Sequence, residues 1–271
     1  MRTAVVTDSS APALPPAMAR SVVVVPITIL LADRQIVDHH TDPVLVHQAL
    51  DRGQPVKTRA PSVIDYLDAV ENTDAEAAVI LTPAAELTAM WRHACHTPWL
   101  ADRPVAVVDS RTAASGQSLV VAAAAEAAAA GSPLADVTAV ARQAARRARV
   151  VGVVGTVEPL VASGMVDRGR IAANGDRRRP TIFEARHGAI EPLRVLDGQD
   201  VPMALSDLYA HARRGGSPVV FTSAGPPPRL REVAERLAGL VGSSRPPEVC
   251  GAAMTVYTGR DVVGLAWLDD A

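Results

Sequence analysis

The side chains best suited to chemistry stand in short polar runs where apolar stretches end: Thr7-Asp8-Ser9-Ser10, Thr58-Arg59 with Ser62, Thr82-Pro83 and Asp109-Ser110. Hydroxyls and carboxylates at such exits can order turns by bonding nearby backbone, or can face a ligand as hydrogen-bond partners. Ser62 followed by Asp65 has the spacing of a capping box, and helix capping accounts for it fully. Thr58-Arg59 falls outside that box and reads equally as an exposed loop or a polar cluster. His39-His40 with Asp42, and His93 and His96 around Cys95, raise metal chemistry. Adjacent histidines on an extended segment point to opposite sides, however, and His93 and His96 fall where a helix ends and imidazoles bond terminal carbonyls. Arg177-Arg178-Arg179 reads as a solvated loop rather than an anion grip. The chain holds no Gly-x-Ser-x-Gly elbow, no phosphate loop ending in Gly-Lys-Ser/Thr and no Gly-x-Gly-x-x-Gly. No catalytic residue, metal or cofactor is expected.

These residues need a scaffold. At 271 residues, 48% hydrophobic and 21% charged, the chain can build one large core or two smaller ones and is not disordered. A net charge of −2 and the lack of an aromatic platform give no reason to expect nucleic acid. Cys95 and Cys250 make neither a disulfide framework nor a zinc quartet; Cys95 fits the apolar face of a helix as a buried thiol. Met1-Arg2 leads directly into apolar sequence without a leader pattern. The longest apolar run, Val22–Ala32, contains Pro26 and falls short of the about 20 residues of a membrane span. No stable membrane insertion is expected, and a cytoplasmic location is the default.

Strand-like runs at Thr3–Val6, Val22–Leu31, Ala77–Thr82, Val105–Val108 and Val150–Val153 alternate with helical periods. Val63, Tyr66, Leu67 and Val70 share a helix face, as do Leu87, Met90, Trp91, Ala94 and Cys95, and Leu134, Val137, Ala141 and Ala144 behind Ser132-Pro133. Such alternation argues for an α/β fold whose N-terminal sheet is mostly parallel with helices on both faces. Ligands of such sheets bind beyond the carboxyl ends of the strands, where the polar runs lie. The second half differs. Thr181–Phe183 and Ile190–Leu193 flank a hairpin turn at Arg186–Ala189, and Val249–Tyr257 and Val262–Leu268 read as a second hairpin across Thr258–Asp261. Helices are expected near Met203–Arg213 and Leu230–Val241, with a strand at Val219–Thr222 between them. Two α/β domains are therefore expected, 1–155 and 156–271, the second a mixed sheet with antiparallel pairs, and a ligand cleft between them.

In this order, AVVTDSSAPALPP, VVVVPITILLADRQIVD and VKTRAPSVIDYLDAV resemble the DegV family of bacterial fatty-acid-binding proteins. VAVVDSRTAASGQ at 105–117 is similar to the family's Val-Ile-Asp-Ser strand exit, and VYTGRDVVGLAWL to its His-Thr-Gly-Pro-Gly segment. The resemblance implies a carrier of one long-chain fatty acid, its tail buried between the domains, its carboxylate held by hydroxyls and presented to a fatty acid kinase. It assigns Thr58 and Ser62 to the family's Thr-Ser-x-Pro-Ser segment, Thr88 to the serine of Leu-Ser-Gly-Thr, and Asp8 and Ser9 to the opening strand exit. Arg59 replaces a serine and is expected near the carboxylate; Tyr257 replaces the histidine before Thr-Gly. Ala89 and Met90 replace Gly-Thr. Met165 stands where the family has arginine, unless Gly169-Arg170-Ile171 is the displaced equivalent. Two alternatives belong to other classes: a small-molecule phosphotransferase-like enzyme, and a regulatory protein with a degenerate pocket.

Overall fold

Val5 and Val6 are neighbours in sequence and both are shielded from solvent, so the strand that carries them is covered on both faces. The computed structural model describes residues 2–12, 21–38, 43–167, 169, 171, 179–212 and 214–270. His39, His40, Asp42, Arg170, Arg177 and Arg178 lie outside the described residues. The chain runs β1 (Thr3–Asp8), β2 (Val22–Val25), β3 (Thr28–Leu30), β4 (Gln35–Val37), α1 (Pro43–Asp51), β5 (Lys57–Arg59), α2 (Val63–Glu71), β6 (Ala77–Thr82) and α3 (Met90–Ala94). It continues with β7 (Val105–Asp109), α4 (Ser115–Ala129), α5 (Leu134–Arg147), β8 (Ala148–Val154), α6 (Glu158–Ala162), β9 (Thr181–Arg186), β10 (Ala189–Val195) and α7 (Val201–Ala210). β11 (Arg214–Thr222), α8 (Pro228–Val241), β12 (Glu248–Val249), α9 (Ala252–Thr258) and β13 (Val262–Asp269) close it.

The first sheet has the order β2-β1-β6-β7, all parallel. Val5, Val79 and Leu81 face one way, onto Val120, Val121 and Ala124 of α4 and Val137 and Ala141 of α5. Val6, Ala78 and Ile80 face the other, onto Tyr66 and Val70 of α2 and Ala94 of α3. Helices thus cover both faces, as the uninterrupted apolar runs require.

The second sheet has the order β10-β9-β8-β13-β11-β12, antiparallel at every junction except β11–β12. β8, which closes the first 155 residues, is built into this sheet between β9 and β13. One face packs Val151, Ile182, Leu265 and Trp267 against Leu205 of α7 and Leu237 of α8. The other packs Val150, Phe183, Phe221 and Ala266 against Ala114, Leu119 and Leu160. The expected hairpin at 186–189 is present: His187 and Gly188 both have positive φ, the conformation a two-residue turn needs to match strand twist.

Three expectations are corrected. Val22–Leu31 is not one strand: Pro26 has no N–H for a ladder, so β2 ends at Val25 and the chain re-forms as β3 in a small antiparallel sheet, β4-β3-β5. Val249–Tyr257 is not a strand but the two-residue β12 followed by helix α9. Its Thr, Val and Tyr favour strands, but Ala252, Ala253 and Met254 are good helix formers, and Gly251 and Gly259 bound the segment. The helix expected over Leu87–Cys95 begins only at Met90, and Cys95, at its end, is half-buried rather than buried.

Glycine in a strand interior marks close approach, and Gly152 and Gly264 pair directly across β8 and β13. The Phe221 ring lies against them; a Cβ at Gly264 would stand 2.1 Å from Phe221 Cζ. Gly264→Ala should therefore cost about 1–3 kcal/mol of stability through overpacking, seen as a lower urea midpoint. An unchanged midpoint would show that the ring moves aside freely.

Candidate ligand-binding site

The exit of β1 is a buried polar knot. Thr7 Oγ1 donates to the Leu81 carbonyl at 2.9 Å and accepts from Gln117 Nε2 at 3.0 Å, linking β1 to β6 and α4. Asp8 is fully buried; its carboxylate accepts from the Ser10 amide at 3.1 Å and the Ser10 hydroxyl, with Tyr66 Oη and Gln117 Nε2 each at 3.5 Å. Burial pushes the Asp8 carboxyl from its ordinary 3.8 up to about 6, against the opposing pull of those hydrogen bonds. Burial likewise raises the Tyr66 phenol, helped by the Asp8 charge. Ser9 Oγ accepts from the Ile27 amide at 3.0 Å, holding the chain just past Pro26. Asp8 and Ser9 thus frame the strand exit, and Ser10 is the member of the run that reaches the space beyond it.

That space is a small, partly open cavity of about 60 Å³ between the two main sheets, walled almost wholly by carbon. Leu87 and Met90 come from the first half; Leu160, Met165, Ile190 and Met254 come from the second. Ser10, Thr88, Tyr257 and Thr258 bring its hydroxyls. An open groove of about 410 Å³ on the surface shares Leu87, Met165 and Ile190 with it.

Thr58 and Tyr257, 199 residues apart, are hydrogen-bonded hydroxyl to hydroxyl. Strand alternation sets up one partner: Thr58 lies beside Ile29, whose other neighbour is Ile36, on the face turned inward. Lys57 and Arg59 fall on the opposite face, and Arg59 is exposed, with Nη2 3.4 Å from Thr28 Oγ1. The cation expected beside the carboxylate therefore points away from the pair. The other partner rides on α9, which packs Ala252 and Ala253 against Ile27, Ile29 and Val46. The helix has no cap of its own; the buried Asp38 just beyond β4 supplies one, its Oδ1 accepting from the Ala253 amide at 2.8 Å. Gly251 makes room for this, since a Cβ there would lie 2.4 Å from Asp38 Oδ2.

Thr88 lines the cavity, and its Oγ1 also accepts from the Met90 amide at 3.2 Å, starting α3. Ser62 is exposed, and its hydroxyl and amide are both engaged with Asp65 in the capping box. Of the residues singled out in the sequence, Thr58, Tyr257 and Thr88 are gathered at the cavity or beside it; Asp8 and Ser9 frame it; Ser62 and Arg59 face solvent. His93 Nδ1 is bonded to the Pro61 carbonyl at 2.7 Å, across to the loop before α2 rather than to its own helix end. The apolar wall was not foreseen as a site; Met90 and Met165 had been singled out as replacements of the family's threonine and arginine, but not the wall's other residues. In sequence those residues carry only the periodicity of core positions.

A parallel sheet and a mixed sheet that both pack on α4, with an apolar cavity at the carboxyl end of the parallel one, define a two-sheet α/β fold. A family model described as "Uncharacterised protein, DegV family" matches residues 2–270, and the chain belongs to the DegV family. Among solved structures it is similar to a fatty-acid-binding DegV family protein from Thermus thermophilus, at 21% identity and TM-score 0.85, covering 99% of this chain and 100% of that one. It is also similar to the Fatty Acid Kinase (Fak) B3 protein of Streptococcus pneumoniae loaded with linoleic acid, at 20% identity and TM-score 0.85 with full coverage of both chains. DegV of Bacillus subtilis, described as a fatty acid binding protein, matches at 17% identity and TM-score 0.83, again over 100% of each. No curated protein matches. At these identities the likeness is one of fold. Among the described residues no helix is long and apolar enough to cross a membrane.

Two outcomes follow from the polar framework. Ser62→Ala should lower stability by about 1 kcal/mol through loss of the cap, read from the urea midpoint; an unchanged midpoint would mean the cap is not made in solution. Asp8 holds its proton in the folded state up to about pH 6, whereas the unfolded chain releases it near 3.8. Its contribution is thus greatest in acid and is lost as pH rises through that window. Between about pH 4 and pH 7 the wild type should lose up to roughly 3 kcal/mol relative to Asp8→Asn. Parallel pH profiles of the two proteins would overturn this.

Proposed function

We propose that this protein binds a long-chain fatty acid, with the tail in the cavity between the sheets and the carboxylate at the hydroxyls of Thr58, Tyr257 and Thr88. The observation that carries the reading is a carbon-lined internal cavity bordered by a pair of hydroxyls that have only each other as hydrogen-bond partner among the bonds described. Each methylene withdrawn from water contributes about 0.8 kcal/mol, so a long tail binds tightly without catalytic apparatus. A carboxylate arriving between Thr58 and Tyr257 lets both O–H groups donate outward instead of one donating to the other, and so is a satisfied anion. The Tyr257 phenol offers an O–H donor where the family has histidine. Asp8, Ser9 and Ser10 order the floor. The relatives described above, named for fatty-acid binding or for fatty acid kinase, support the same ligand class.

The protein works in the cytoplasm and presents the carboxylate to a fatty acid kinase. Its two domains, divided near residue 155 as the sequence suggests but with β8 built into the second sheet, enclose the tail between them. One observation favours a second reading, a regulatory protein with a degenerate pocket: about 60 Å³ is far below the roughly 300–1,000 Å³ of ordinary ligand sites.

Native mass spectrometry of the purified protein, followed by lipid extraction, separates the two. A mass excess of one fatty acid per chain is expected. Thr58→Val and Tyr257→Phe should each weaken binding by about ten- to a hundredfold, the worth of a hydrogen bond to a charged group. A ligand-free mass that persists after incubation with saturated and unsaturated acids would overturn the carrier reading in favour of the degenerate pocket.

A further inference from the structure

The cavity wall is unusual in its sulfur. Three of the six methionines in the chain, Met90, Met165 and Met254, line this one small space. They come from three separate places: the start of α3, the turn after α6, and α9. Met90 is buried, and Met165 and Met254 are partly buried. The fixed part of the wall, Pro83, Ala113, Ala253 and the branched Ile27, Leu160 and Ile190, has little freedom to retreat. A methionine has three rotatable bonds and a polarisable sulfur, and withdraws or refills at small cost. Met165 also lines the neighbouring groove of about 410 Å³, together with Leu87 and Ile190, so the cavity and the groove share part of one wall.

Resting on the fatty-acid reading above, we propose that these three thioethers are the adjustable part of the site, and that they make it a site for acyl chains of varied shape. Straight saturated chains, chains bent by a cis double bond and methyl-branched chains are all taken, because the wall is remade around each rather than cut to one. In the empty protein the same side chains fill the space the tail will occupy, so the core is not left with a large void. Ligand entry then exchanges thioether–wall contacts for methylene–wall contacts, without exposing a polar group.

The test compares wild type with the triple variant Met90→Leu, Met165→Leu, Met254→Leu. Leucine matches the volume and is tolerated in cores, but its branch stiffens the side chain. Dissociation constants are measured for palmitic acid, oleic acid and a methyl-branched acid of similar length. Wild type is expected to bind the three within about tenfold of one another, and the triple variant to spread them by a further tenfold or more. Unchanged ratios in the variant would overturn the inference, as would a wild type that separates the three by more than about a hundredfold. If the triple variant does not fold, the three single variants are measured, each expected to widen the spread, and unchanged ratios in all three overturn the inference. Wild type that binds none of the panel would overturn the fatty-acid reading itself, an outcome distinct from binding with unchanged ratios.

Discussion

The hydrogen bond from the Ala253 amide to the buried Asp38 carboxylate fastens the last helix of the chain to its first forty residues, and the site depends on that fastening. α9 is seven residues long and brings no side-chain cap, so it is a weak helix by itself. Seated on Asp38 at one end and packed on Ile27, Ile29 and Val46, it closes one side of the cavity and carries Tyr257 to Thr58. The exposed Arg260–Asp51 ion pair beyond its far end adds little by comparison. Remove the cap, and Tyr257 loses its reason to stand where it does.

A second constraint acts at the floor. Asp8 is a carboxylate with no solvent, held by donors from its own turn, from α2 and from α4. Such a group costs stability when charged, yet it fixes the direction in which Ser10 leaves the strand. Gln117 Nε2 donates to Thr7 Oγ1 at 3.0 Å and lies 3.5 Å from Asp8 Oδ2, so strand exit and helix start are tied together. The helix α4 that supplies Gln117 packs its far face on the first sheet while Leu119 joins the core of the second. The two sheets therefore share one helix between them.

Much of this was legible in the sequence because it is local. Apolar runs without alternation say that a strand is covered twice, as Val5 and Val6 are. Ser62 with Asp65 names a helix start, and it is one. His187-Gly188 names a hairpin. The order of short motifs along the chain pointed to the DegV family, and hence to Thr58 and Tyr257, without any knowledge of how they meet.

The failures share a cause. Residues 252–257 read as part of a strand because Thr, Val and Tyr outweigh Ala and Met locally; the carboxylate that decides otherwise lies more than two hundred residues earlier. Arg59 follows Thr58 in sequence, yet it faces solvent on the other side of β5, because a strand sends neighbours to opposite faces. Leu160 and Ile190 cannot be told from ordinary core residues by pattern. The sequence by itself determined the strands, the covered faces, the caps and the turns, since each is set by a few neighbouring side chains and the backbone between them. Only the tertiary structure decided which hydroxyls pair, which cation turns away and which apolar residues enclose a space, because those depend on the distance between elements that no local preference encodes.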